Sequence, residues 1–228
     1  MLNPLPTAPA LIDQVHDQLV AAIASGDLAP GQRLTQESVA TLLGVSRQPV
    51  SHALQILKRR GLLIEHGKRG LAVAPLDGAR ILNLYQIRET LDGLAARLAA
   101  ERCRDNRAPP ADIAALQQAL DAGQALSHTD DIKQLVAADV AFHACLHRLS
   151  GNPEIAATVA EQWPQFMRSM GFILGARRRA VTIWSEHAAI ADAVTAGTLD
   201  QAEALARAHA ANAARQTANE LPRTEAAE

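Results

Sequence analysis

The apolar positions of this 228-residue chain change rhythm along its length. Leu11, Val15, Leu19 and Ile23 recur at steps of four and predict a helix over 11–25. The run Gly26 to Gly31 then makes a turn. Thr35 is placed as an N-cap, and Val39, Leu42 and Leu43 give the next helix one apolar face, ended by Gly44. Val45 plugs a tight turn and Ser46 caps a further helix. Pro49 falls in that helix's first turn, where its missing N–H has no partner to lose. Val50, Ala53, Leu54 and Leu57 form its inward stripe. The period then shortens: Leu62–Glu65 and Leu71–Ala74 read as two strands around His66 to Gly70, a glycine-bounded hairpin tip.

From Ala79 onward the chain is built almost wholly of helix formers, rich in Ala and Leu. Six helices are expected, over 79–103, 110–126, 130–149, 153–174, 180–196 and 199–217. The breaks fall at Pro109-Pro110, Ser127 to Thr129, Gly151 to Pro153, Gly175 and Gly197, and Pro164 should kink the fourth helix. No strand signal appears there. The pattern therefore predicts a mainly α chain: an N-terminal winged helix-turn-helix over 11–74 and an all-α antiparallel helical bundle over 79–217. Residues 75–78 are the linker, and 1–10 and 218–228 are expected to be loose tails.

The outward face of the helix after Ser46 carries Arg47, Gln48, Ser51, His52, Gln55 and Lys58. In a helix-turn-helix the N-terminal residues of the second helix meet base edges in the major groove. Arg47 suits guanine and Gln48 adenine, each through two hydrogen bonds. Lys58, Arg59 and Arg60 complement the helix dipole or touch phosphates; both readings stand. Lys68 and Arg69 at the hairpin tip suit phosphates or a minor groove.

Charge changes the picture slightly. The net charge is −2, but residues 1–75 hold seven Lys/Arg against five Asp/Glu, and residues 76–228 hold fifteen against nineteen. The excess of positive charge lies with the DNA-reading half. Two cysteines, Cys103 and Cys145, make no disulfide framework, and a reducing cytoplasm is the expectation. No signal-peptide pattern opens the chain, and no apolar run approaches the ~18 residues of a membrane span.

The bundle carries an oddity. Asp139 and His143 are i, i+4 neighbours on a face shared with Leu135, Val136, Phe142 and Leu146. His187 shares a face with Ile190, Ala191 and Val194, and His209 with Ala202, Leu205 and Ala206. Burying a carboxylate and three imidazoles without partners is costly. His187 and His209 lie eleven residues either side of Thr198, so an antiparallel hairpin brings them to one height, about 16 Å from the bend. A third helix presenting Asp139 and His143 at that level completes an Asp-His-His-His set suited to zinc, nickel or a similar divalent metal. Satisfied core histidines are the other reading. His147 competes as a ligand, whereas Cys145 lies about 200° around the helix from His143 and does not join. Arg88, with Leu84, Leu91 and Ala95 on its stripe, either grips a carboxylate ligand or pairs with Asp92 at i+4.

With both halves read, residues 11–215 resemble the GntR family of bacterial transcription regulators, in its FadR-like subfamily with an FCD domain. The resemblance rests on Pro30-Gly31-Gln32-Arg33-Leu34, Leu43-Gly44-Val45-Ser46-Arg47-Gln48-Pro49-Val50, Gly61-Leu62 and Arg69-Gly70 in the first half. In the second it rests on Arg88, Asp139 to His143, Gly151-Asn152-Pro153, Glu186-His187 and His209. Six bundle helices look like the shorter, VanR-like form. The resemblance implies DNA contacts from Arg33, Ser46, Arg47, Gln48, Ser51, His52, Lys68, Arg69 and Gly70. It also implies a metal, zinc foremost, on Asp139, His143, His187 and His209, with a small organic acid held by Arg88. Homodimers on short palindromic operators, often repressors released by ligand, complete the implied picture. Two departures stand out: the family usually has Arg where Ser51 stands and Glu where Gln36 stands. Asp92 also replaces a frequent Glu. A metal sensor and a metal-dependent enzyme, with Glu186 or His147 as base, are the alternatives from other classes.

Overall fold

The computed structural model describes residues 9–67, 70–129, 131–174 and 177–220. Two compact units divide at Leu76 and Asp77.

In the first unit, α1 (Pro9–Ala24), α2 (Gln36–Leu43) and α3 (Arg47–Arg59) pack beside a small antiparallel sheet of β1 (Arg33–Leu34), β2 (Leu63–His66) and β3 (Gly70–Val73), in the order β1-β3-β2. Leu63 pairs with Val73 and His66 with Gly70, which closes the wing hairpin. The two-residue β1 was not legible as a strand, because no alternation fits in so short a run. Thr35 caps α2: its hydroxyl accepts from the Ser38 amide at 3.0 Å while Ser38 Oγ accepts from the Thr35 amide. Gly44 ends α2 at φ 64°, the left-handed position that glycine takes without strain. Ser46 stands at the N-cap of α3 but makes no side-chain cap bond.

Val15, Leu19, Ile23, Val39, Val50, Leu54, Leu57 and Val73 form this unit's core. Leu42 corrects the expected apolar face of α2, being 82% exposed. Val39, Ala40 and Leu43 turn inward instead, since Leu42 sits at i+3 on a helix too short to bury a broad stripe.

The second unit contains only helices among its described residues: α4 (Gly78–Arg104), α5 (Pro110–Leu126), α6 (Ile132–Ser150), α7 (Pro153–Ala160), α8 (Trp163–Leu174), α9 (Arg177–Thr195) and α10 (Leu199–Glu220). Asp77 caps α4 by accepting from the Ala79 and Arg80 amides, and Asn152 caps α7 in the same way through Glu154. The expected single helix over 153–174 is two. Pro164 does not kink a continuous helix but occupies the first turn of α8. Its ring would clash with the carbonyl four residues back, so the chain breaks at Glu161–Gln162. The expected break at Gly175 lies outside the described residues, as do 1–8 and 221–228 of the expected tails. Pro9, Ala10 and residues 218–220 are helical.

Small side chains set the packing. Ala95, Ala96, Ala99 and Ala100 of α4 share a core with Ala202 and Ala206 of α10, so these helices pack closely. Gly123 on α5 lies against the Trp184 indole, and any Cβ there would strike the ring. None of the described helices is long and apolar enough to cross a membrane.

Candidate functional site

The reading surface comes first. Arg47, Gln48 and His52 are exposed on α3, Ser51 is half-buried, and Ser46 is exposed at the helix's start. The first turn of α2 reaches across to this face twice. Glu37 Oε1 accepts from Arg47 at 2.9 Å, and Gln36 Nε2 donates to Ser51 Oγ at 3.0 Å. Gln36 and Ser51, two of the three positions set apart in the sequence, are thus hydrogen-bonded partners. Spacing alone did not show this, because positions 36 and 51 lie on different helices.

At the other end of α3, Lys58 donates to Glu65 of β2 at 2.6 Å. That hydrogen bond and the Lys58 charge hold the Glu65 carboxyl below its usual range. Lys58 is thereby tied to the wing. Gly70 closes the wing beside His66: a Cβ at Gly70 would lie 2.8 Å from the His66 carbonyl oxygen and 3.7 Å from the Arg33 guanidinium. Arg33 therefore borders the wing. Lys68 and Arg69 lie outside the described residues.

In the second unit, α6, α9 and α10 bring Asp139, His143, His187 and His209 together, all buried. His187 Nε2 stands 3.2 Å from His209 Nε2 and 3.6 Å from Asp139 Oδ1, and His143 Nε2 lies 3.8 Å from Asp139 Oδ2. Ligands each about 2.1 Å from one ion stand roughly 3 to 3.5 Å apart, so these separations are close to those of a metal shell. Asp139 Oδ2, both nitrogens of His143 and Nδ1 of His187 have no hydrogen-bond partner. Such groups are rare in a protein interior and call for an explanation. Burial, and after it the neighbouring positive charge, pushes the His143 and His187 imidazoles well below their ordinary range. Neutral imidazoles are the form that binds metal. Burial raises the Asp139 carboxyl, with the Arg88 charge opposing it. Donor types, spacing and unsatisfied valence all suit a divalent metal.

Outer partners surround this set. His209 Nδ1 lies 2.7 Å from Glu186 Oε2, whose other oxygen accepts from Asn212. His147, which competed for the metal, instead places Nε2 2.7 Å from Asp92 Oδ1. Arg88, 2% exposed, donates through Nε to Asp92 Oδ2 at 3.1 Å, so its i+4 ion pair is formed. Its NH2 nonetheless has no partner. Burial pulls the Asp92 carboxyl up, but the Arg88 charge and the His147 hydrogen bond outweigh it and hold it low.

Sequence reasoning did not foresee the aromatic collar. The Arg88 guanidinium lies over the rings of Tyr85, Trp163 and Phe166 at 5.1 to 5.5 Å. Phe142 stacks on His187 at 4.2 Å, and Trp184 meets it edge-on at 4.7 Å. Five of the chain's six aromatics thus dress one site, a signal that lay in their scarcity. A small cavity of about 20 Å³ touches Arg88, Asp139 and His209, enough for one water-sized group. A larger cleft of about 410 Å³, bordered by α4, α7 and Phe166 of α8, also includes Arg88. Cys103 and Cys145 are both free.

A winged helix-turn-helix in one chain with an all-helical unit is the arrangement of a DNA-binding regulator. Residues 11–73 match the gntR family of bacterial regulatory proteins, and residues 83–212 match the FCD domain. The chain belongs to the GntR family with a C-terminal FCD domain, and is a transcription regulator. It is 31% identical over 200 residues to an HTH-type transcriptional regulator in an unstable DNA locus of Streptomyces ambofaciens, covering 86% of this chain and 80% of that one. Its fold is similar to that of E. coli McbR/YncC, with a TM-score of 0.74 and 22% identity over 95% of each chain. A GntR regulator from Rhodococcus sp. RHA1 superposes with a TM-score of 0.76 and 24% identity, over 93% of this chain and all of the other.

Proposed function

We propose that this regulator is a homodimeric repressor whose FCD domain holds a divalent metal, zinc foremost, and a small organic acid that controls its grip on DNA. Asp139, His143, His187 and His209 would hold the metal, and Arg88 would take the acid's carboxylate. The observation that carries the reading is the set of buried, partnerless ligand atoms on Asp139 and His143. When bound, the metal supplies a Lewis-acid seat for a carboxylate oxygen. The chain's own part is to keep the imidazoles neutral, exclude water with the aromatic collar, and present a buried guanidinium. On DNA, Arg47 and Gln48 read base edges in the major groove, with Ser46, Ser51 and His52 beside them. Arg33, Lys68, Arg69 and Gly70 serve the wing side. Two copies would meet a palindromic operator, with the half-site spacing set by the dimer. An acid can shift operator binding only by favouring one arrangement of the protein over another.

Elemental analysis of the purified chain tests the metal. Operator binding is then titrated with metal alone, followed by metal with a set of small carboxylic acids. Release that needs an acid supports the reading. Release by metal alone would replace it with a metal sensor, which the compactness of the small cavity favours as the second reading.

A further inference from the structure

One carboxylate is common to both arms of the buried site. Asp92 lies one turn after Arg88 on α4 and is 1% exposed. Its Oδ1 faces His147 Nε2 at 2.7 Å. Its Oδ2 accepts from Arg88 Nε at 3.1 Å and also stands 3.4 Å from His143 Nδ1. The other ring nitrogen of His143, Nε2, faces Asp139. His143 is thus set between two carboxylates, one on the side of the metal ligands and one on the side of Arg88.

A histidine that binds metal through one ring nitrogen characteristically donates its other N–H to a carboxylate, which fixes the ring's tautomer and direction. Glu186 stands in that position for His209. Asp92 stands in it for His143, at a looser distance and with a second duty toward Arg88. The trio Asp92, His143 and His147 could also seat a cation of its own. The Arg88 guanidinium argues against that, because a cation there would have to break a buried ion pair and leave one charge uncompensated. Both oxygens of Asp92 are already engaged, whereas Asp139 Oδ2 is not.

We propose that Asp92 is a positioning residue shared by the metal seat and the acid-gripping arginine, clamped by His147, so that metal and acid bind as a coupled pair. This rests on the metal-and-acid reading above. Arg88 commits Nε to Asp92, which leaves its terminal edge, with the partnerless NH2, for an incoming carboxylate. The coupling is reciprocal: the factor by which bound metal raises acid affinity is the factor by which bound acid raises metal affinity.

Cobalt(II) and acetate are the probes, applied to the full-length chain. Cobalt affinity is read by competition with a coloured chelator, site geometry by the visible cobalt absorption, and acid binding by the acetate-induced change in that absorption. Asp92→Asn is expected to lower cobalt affinity about tenfold to a hundredfold and to weaken the acetate response in parallel. Asp92→Glu, which keeps the charge, should restore both to within several-fold. His147→Leu, which removes the clamp but leaves the carboxylate, should give the same paired loss at smaller size, and it decides the matter if Asp92→Asn does not fold. A folded Asp92→Asn or His147→Leu chain with unchanged cobalt spectrum and affinity overturns the proposal. So does loss of one response with the other intact. Wild-type chain that takes up no cobalt overturns the metal reading itself, and this inference with it.

Discussion

The two polar surfaces of this protein are built on opposite terms. On the reader, Arg47 and Ser51 are solvent-accessible, and each is already held by a residue of α2. In the bundle, Asp139 and His143 are buried and lack partners for several ligand atoms. Water can satisfy an exposed group between binding events, so the reader needs no unmet demand in order to be ready. A buried group has no such fallback, and leaving one unpaired costs roughly 1 to 3 kcal/mol. The bundle therefore holds a standing demand that a bound group would meet. That contrast separates a surface whose polar groups are already satisfied from a site where several are not.

Removing the demand should give the largest effect. His187→Ala with His209→Ala is expected to take bound metal from about one equivalent per chain to none by elemental analysis, with DNA recognition unchanged in the absence of acid. Full retention of metal would dissolve the contrast. Arg47→Ala should act only on the other side: preference for operator over random duplex falls roughly tenfold to a hundredfold in a competition assay, and metal content stays the same.

Acidity should also part the two regions. Burial keeps His143 and His187 neutral in the folded chain, while unfolded histidines take a proton near pH 6.5. Below that pH the unfolded chain binds more protons, so stability present above it is lost as pH falls. Asp139 runs the other way: burial raises its carboxyl, and its contribution is lost as pH climbs out of the ordinary carboxylate range. Between pH 7.5 and 5.5 the histidines dominate, at up to about 1.4 kcal/mol per pH unit each. The melting temperature of chelator-treated protein should fall over that range, and less in a His187→Leu chain. Identical slopes in the two would show that His187 is not held neutral.

The smallest effect belongs to Ser51→Ala. It frees Gln36 and should change base preference only a few-fold, at one position per half-site, as read by selecting bound duplexes from a random library. If Gln36→Ala and Ser51→Ala change different positions, the pair does not act as a unit on DNA.

The reader's architecture was legible because its signals are local. Caps, turn glycine and inward stripe fall within 29 residues, and each follows from one residue's conformational preference. The four candidate ligands were legible for a different reason: a symmetric hairpin about Thr198 fixes the height of His187 and His209 without any knowledge of packing. What escaped were relations between helices distant in sequence. His147 belongs to Asp92, 55 residues away, and Trp163 and Phe166 cover Arg88 from a helix whose start was hidden by reading Pro164 as a kink. The exposed Leu42 escaped because a period of 3.6 does not say how wide a stripe a two-turn helix can bury.

The 3.2 Å contact between His187 Nε2 and His209 Nε2 has a consequence in time rather than in affinity. Glu186 draws the proton of His209 onto Nδ1, so with both rings neutral His187 must be the donor, through Nε2–H. That is the nitrogen that points at the other ligands. Before an ion can be accepted there, the proton must cross to His187 Nδ1, where no acceptor waits and the Phe142 and Trp184 rings shut out water. Loading should therefore be slow and should quicken with the concentration of a small proton-shuttling buffer at fixed pH. On the metal reading proposed above, the contact between His187 and His209 would make the protein a slow recorder of its metal supply.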